Sequence, residues 1–299
     1  MDSSTTETVY GRWSLQHVDP NHSQTPLSFS IGNQTGDGDN LASEDTRILV
    51  ARNDIQPGGK YYSIVKLRIR FEGQDSQDPR WAQATGWLIR PDLVVTAGYC
   101  AFDHTYRFGK AIQVCAWAGY SGASSTGSPN VQFRSGVEIV TTKAWIDSDT
   151  NLANTIAFIR VDKQFNHIVP IQYEATPTLI DHLVLGIVGY PDDKTHHSEL
   201  GALMYQDFDK ATCDLTNTPQ NMIQYNLFTY GDIEAQIGSP VLITNTNTAI
   251  GVHAGSPGGQ SSATAIQGQY GNSFGGLLNA IDGSGTVMET VQGIDYVKV

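Results

Sequence analysis

Apolar and polar residues alternate between Val65 and Phe71: Val65, Leu67, Ile69 and Phe71 share one face, and Lys66, Arg68 and Arg70 the other. A period of two is that of a strand, so this stretch predicts a half-buried strand with its three cations in water. Short apolar runs recur at 84–89, 93–96, 111–118, 131–134, 136–142 and 155–161, separated by Gly, Pro, Asn and Asp. No interval between them has the length of a crossover helix, so the pattern predicts an antiparallel barrel or sandwich. From Asp162 to Pro177 the pattern lapses and reads as a connector. A second series opens with Leu183 to Pro191 and continues through 201–207, 222–229, 239–244, 248–254 and 265–268. A short closing helix is expected around Leu277, Leu278 and Ile281. Two series of similar size predict two similar barrels, 44–165 and 166–290, with a tail to residue 299. Residues 1–43, rich in Ser, Thr, Asn, Gln, Gly and Asp, read as a polar extension draped on the surface.

Composition narrows this picture. Thirty glycines and thirteen tyrosines in 299 residues suit an all-β chain with many turns. A net charge of −12 argues against nucleic acid or an anionic membrane as partner, because both require clustered Lys and Arg. No apolar run approaches the ~20 residues of a membrane helix. Three cysteines, Cys100, Cys115 and Cys213, do not suit a disulfide framework, although spacing leaves a Cys100–Cys115 bridge open. The N-terminal residues lack a basic region followed by an apolar run, so an intracellular protein is expected, with secretion left open.

One stretch concentrates the chemistry. Thr85-Gly86-Trp87 starts an apolar strand that turns at Pro91-Asp92, runs through Leu93-Val94-Val95 and stops at Thr96-Ala97-Gly98-Tyr99-Cys100. It resembles the segment of chymotrypsin-fold serine proteases that ends in Thr-Ala-Gly-His-Cys. Ala116-Trp117 to Tyr120, Leu185 to Pro191, and Gly238-Ser239-Pro240-Val241 followed by Ile250-Gly251-Val252-His253 extend the likeness over residues 44 to 276. In this order they resemble the glutamyl endopeptidase branch. The resemblance implies two six-stranded antiparallel Greek-key β-barrels with a cleft between them.

Serine proteolysis needs a hydroxyl nucleophile, a base to take its proton and a carboxylate to orient the base. The resemblance puts Tyr99 in the place of the base, and a phenol with a reference pKa of about 10 does not serve as one at neutral pH. In the carboxylate's place, within Asn154-Thr155-Ile156-Ala157, stands Thr155. In the nucleophile's place, within Ala235-Gln236-Ile237-Gly238-Ser239-Pro240, stands Ile237, which has no nucleophilic atom. Ala235 takes the place of a glycine that supplies an oxyanion-hole amide. Asp103, His104 and Ser239 are the other residues in the chain from which a triad could be drawn.

His253 matches the histidine by which family members that cleave after glutamate hold the acidic side chain. It is read either as a polar anchor in the cleft or as a buried histidine satisfied by backbone. Thr229 and Tyr230 would form another wall of that pocket, while His253, Asp232 and Glu234 are the polar partners that a hydrogen-bonding Tyr99 would use in a repurposed cleft. Adjacent His196 and His197 read as a solvated loop, and Asp147 and Asp149 as a turn. No metal site and no cofactor are expected, and Ser256 to Gly259 lacks the Lys-Ser/Thr of a phosphate loop.

Three functions follow. The first is a pseudoprotease whose cleft binds a small molecule or peptide without hydrolysing it. The second is a repurposed enzyme in which Tyr99 donates a hydrogen bond in an apolar cleft and orients a small molecule for isomerisation, cyclisation or cycloaddition. The third is an architectural subunit that recruits a protein partner.

Overall fold

The computed structural model describes residues 8–19, 27–32, 45–225, 236–255 and 260–299. Its strands, in chain order, are β1 (Val9–Ser14), β2 (Ser28–Ser30), β3 (Ile48–Leu49), β4 (Ile64–Phe71), β5 (Trp81–Arg90), β6 (Leu93–Thr96), β7 (Phe102–Asp103), β8 (Gly109–Ala118), β9 (Gln132–Thr142) and β10 (Ala157–Val161). The series continues with β11 (Leu179–Gly189), β12 (Thr195–His196), β13 (Glu199–Leu200), β14 (Tyr205–Asp214), β15 (Ile223–Tyr225), β16 (Pro240–Ile243), β17 (Thr248–Gly255), β18 (Ser261–Ala265), β19 (Thr286–Val291) and β20 (Ile294–Lys298). Two α-helices are described, α1 (Lys143–Asp147) and α2 (Phe274–Ile281).

β4, β5, β6, β10, β9 and β8 pair in that order, and β8 returns to β4, so six antiparallel strands close a barrel. The second series pairs as β15-β18-β17-β16-β11-β14, with β3 on its outer edge. Among the described residues that ladder is an open half-barrel. This is the all-β, two-barrel architecture that the strand spacing and the chymotrypsin-like resemblance imply. The two runs expected at 131–134 and 136–142 are one strand, because Gly136 keeps the chain extended where a side chain would strike Leu15 and Val114.

The polar N-terminal stretch differs from expectation. β1 is a sheet strand, held between β20 and β9, and its Tyr10 and Trp13 are buried. These two aromatic side chains bury more apolar surface than a draped segment could leave in water. The C-terminal tail forms the β19–β20 hairpin on the same sheet, outside the first barrel.

A second correction concerns β4. Lys66 and Arg68 do not face water, being 0% and 1% exposed, while Arg70 is half-buried. The alternation is present, but the segment around β13 covers the face that carries the cations. Lys66 Nζ donates to Gln83 Oε1 and to the carbonyls of Leu200 and Gly201. Arg68 Nη2 donates to Glu199 Oε1 at 2.8 Å and to the Tyr120 hydroxyl at 2.9 Å. These bonds offset part of the cost of burying the two groups.

The core crosses from one strand series to the other. Trp87, Val94, Phe158 and Phe274 share an apolar cluster with Val188, Leu242 and Val252, while Leu185, Ile187, Val241 and Ile250 form a smaller cluster inside the second barrel. The three cysteines are buried and none is in a disulfide, so no Cys100–Cys115 bridge forms. Among the described residues no helix is long and apolar enough to cross a membrane.

Candidate functional site

β6 ends in a tight 3-10 turn, Gly98–Cys100, closed by Cys100 N–H to Ala97 O at 3.0 Å and Ala101 N–H to Gly98 O at 2.8 Å. This turn presents Tyr99, which is 4% exposed and lies edge-on to Trp145 with ring centres 4.6 Å apart. Trp145 comes from α1, which Thr142 caps by accepting the Trp145 N–H, and its indole N–H donates to Phe102 O at 3.1 Å. The turn can lie this close because residue 98 is glycine. A Cβ there would sit 2.7 Å from Trp145 Cδ1 and 2.9 Å from Thr155 Oγ1.

Thr155 is therefore packed against the turn that carries Tyr99. It is fully buried, and its hydroxyl has no hydrogen-bond partner. Its carbonyl accepts from Thr264 Oγ1 at 3.4 Å, which ties it to β18 across the seam.

Ile237 arrives from the other side, in the turn before β16. It is 2% exposed, and its carbonyl accepts the Thr85 N–H at 2.9 Å. Gly238 follows at φ +84°, a conformation open to glycine and costly for other residues. A Cβ at Gly238 would also fall 2.2 Å from Thr85 O and 2.3 Å from Thr96 Oγ1. Thr96 Oγ1 donates to Thr85 O at 2.7 Å, so the base of the Tyr99 turn and the Ile237 turn meet on one pair of threonines.

His253 stands behind the Ile237 turn. Its backbone exchanges bonds with Gly238 and Ser239, and its Nδ1 lies 2.7 Å from the Tyr225 hydroxyl. It is fully buried. Burial also pushes the Tyr225 phenol well above its usual pKa, so the phenol keeps its proton in this hydrogen bond. Thr229, Tyr230, Asp232, Glu234 and Ala235 lie outside the described residues, as does the Ser256 to Gly259 stretch.

The alternative trio does not converge. The Asp103 carboxylate accepts backbone N–H groups of Tyr106 and Phe108 at 3.1 and 2.9 Å, and burial pushes its pKa up. His104 Nε2 lies 2.7 Å from Trp145 O. A carbonyl only accepts, so Nε2 carries the proton there. Ser239 is fully buried with its hydroxyl packed where a Gly189 Cβ would be.

A cavity of about 350 Å³ opens beside Tyr99, lined by His104, Thr105, Asp149, Thr150, Leu152 and Gln220. Gln220 reaches it from the second strand series, bonding Thr150 O at 2.7 Å through its amide nitrogen and the Ala153 N–H at 3.1 Å through its oxygen. Sequence reasoning had no signal for Trp145 or Gln220. The first sits in a five-residue helix and the second in a polar loop at φ +54°. The exposed His196 and His197 meet edge to face, ring centres 4.0 Å apart, in the β12–β13 hairpin. Among the described residues no group of His, Cys, Asp and Glu is placed to hold a metal ion.

A family model described as Trypsin matches residues 66–270. A curated relative from Bacillus subtilis, named an extracellular metalloprotease, is 26% identical over 245 residues, which span 77% of this chain and 66% of that protein. Among solved structures, a Glu endopeptidase in complex with MPD superposes with a TM-score of 0.60 at 21% identity, covering 82% of this chain and all of that one. Human heparin binding protein superposes with a TM-score of 0.54 at 14% identity, over 75% of this chain and 92% of that one.

Proposed function

The chain belongs to the trypsin family, and from that premise we propose that it is a non-hydrolysing member whose seam binds a ligand or short peptide in the cavity beside Tyr99. One observation carries this reading. The places that proteolysis assigns to base, carboxylate and nucleophile hold a phenol, a threonine and an isoleucine, exposed by 4%, 0% and 2%. None of them supplies the proton transfer or the attacking atom of acyl transfer. Loss of a triad's members leaves only residual acceleration from binding.

The cavity's lining favours recognition over chemistry. It offers a phenol edge, an imidazole, hydroxyls and a carboxylate, all suited to hydrogen-bonding a polar backbone or headgroup. Leu152 is its one aliphatic side chain. That fits a repurposed isomerase or cyclase less well, since such an enzyme would orient a hydrophobic substrate on apolar walls. The human neighbour shares the fold alone and is named for a ligand, heparin. A net charge of −12 directs this chain to a ligand other than a polyanion.

The test is direct. Purified full-length protein is treated with a fluorophosphonate probe and with glutamyl and generic peptide substrates, and a random short-peptide library is passed over it. Neither a labelled serine nor a cut peptide is expected, while captured peptides should be lost on Thr150→Trp, which fills the cavity. Labelling of any serine, or turnover that scales with protein concentration, overturns the reading.

A further inference from the structure

We propose a second ligand site, away from the seam, that takes a small amphipathic carboxylate. A cavity of about 420 Å³ lies between the segment after β3, the loop joining β8 to β9, and the start of β14. That volume is in the range that holds small organic ligands. Val50, Ile55 and Met204 form its buried floor, and Val131 a half-buried wall. Arg52 and Ser124 stand at its exposed rim.

Arg52 is what gives the cavity a chemistry. Arg12, Arg47, Arg68, Arg80, Arg90 and Arg160 each form an ion pair with a carboxylate of this chain. Arg52, like Arg70, Arg107 and Arg134, forms none among the described residues, but it alone of these four edges the pocket with the apolar floor. A guanidinium presents two parallel N–H groups that match one carboxylate, and the hydroxyl of Ser124, which lines the same cavity, adds a second kind of donor. The tail of the ligand would displace water from Val50, Ile55, Val131 and Met204. A net charge of −12 disfavours polyphosphates and nucleic acids, which leaves a single anionic group as the head.

The cavity is also preformed, which lowers the cost of filling it. One wall is fixed by the Val50 N–H to Met204 O bond at 3.0 Å. The facing loop begins at Gly119 with φ +75°, where a Cβ would strike Asn130 O at 2.5 Å. Tyr62 OH donates to that same carbonyl at 3.0 Å. The loop's middle is pinned from beneath by the Ala123 N–H to Glu199 Oε2 bond at 2.7 Å, and Glu199 is itself held by Arg68. None of these residues belongs to the Tyr99 seam, so this site stands or falls independently of the function proposed above.

Calorimetric titration of the full chain with octanoate tests the proposal, with octanol as the uncharged comparator. Octanoate should bind at one site. Arg52→Gln, at an exposed position, should weaken octanoate about tenfold, the worth of one charge-assisted contact, and leave octanol unchanged. Ser124→Trp, also exposed, should block both. Absence of octanoate binding up to its solubility limit overturns the site. So does binding that survives Ser124→Trp, and an Arg52→Gln effect of equal size on both compounds overturns the anionic head.

Discussion

Two residues at the seam make opposite predictions about how tightly it is built. The Thr155 hydroxyl is buried without a hydrogen-bond partner, and an unmet polar group costs about 1–3 kcal/mol. Thr155→Val keeps the shape and removes that cost. Its thermal midpoint should therefore match or exceed the parent's, and a clear drop would mean that the hydroxyl is satisfied in solution. Gly98→Ala should do the reverse. The added carbon meets Trp145 and Thr155 at 2.7 and 2.9 Å, both of them fixed by the core. Overpacking of this kind costs about 1–3 kcal/mol. The loss should appear in the denaturation midpoint, together with a changed near-ultraviolet circular dichroism signal from the Tyr99–Trp145 pair. At this scale the sequence singled out Tyr99, Thr155 and Ile237, but not that Trp145 backs Tyr99, because no local pattern encodes a contact between distant turns.

At the scale of elements, β4 and the segment around β13 share a buried cluster whose two main titrating members are displaced towards neutrality. Burial pushes Lys66 down to about 7, and Arg68 adds to the effect. Burial likewise pushes Asp192 up to about 7. The other groups facing them are Gln83 on β5, Glu199 on β13, and Tyr120 and Tyr190, whose rings lie 5.7 and 5.6 Å from Lys66 Nζ. Between pH 10 and 7 the unfolded chain holds a proton on Lys66 that the folded protein sheds, so this residue weakens the fold as pH falls through that window. Between pH 4 and 7 the folded protein holds a proton on Asp192 that the unfolded chain sheds, so this one weakens the fold as pH rises. Each contributes a slope of at most about 1.4 kcal/mol per pH unit. Together they produce a minimum near neutral pH. In urea titrations Lys66→Met should flatten the alkaline arm relative to the parent, and Asp192→Asn the acidic arm. Parallel curves for parent and variants would refute this. The strand itself was legible in the alternation from Val65 to Phe71, but which face met solvent was not. Burying Lys66 and Arg68 depends on partners at Glu199 to Gly201, far along the chain.

For the molecule as a whole, the spacing of short strands and four dispersed motifs were enough to read two antiparallel barrels. What escaped was the sheet built outside the first barrel. β19 is exposed along its whole length and β1 is interrupted by Gly11, so neither carries an apolar period of two strong enough to announce a strand. Yet β20 buries Ile294 and Val297, and a Cβ on Gly276 in α2 would strike the Tyr10 hydroxyl at 2.1 Å. Removing residues 286–299 should therefore lower the melting temperature and increase binding of a hydrophobic dye. A truncated chain that melts with the parent would show the hairpin to be an ornament.

The pairing of Val9 with Lys298 sets an order on biosynthesis. β1 leaves the ribosome before β20, so it finds one of its two neighbours only after the intervening strands have been made. Until then β1 offers an unpaired edge to whatever is nearby, and slow pairing of this kind is where nascent chains aggregate or recruit chaperones. The start of β1 and the end of β20 also lie side by side, so a short linker could join them and new termini could be opened in a surface loop. Such a rewired chain would complete its first sheet before translation ends.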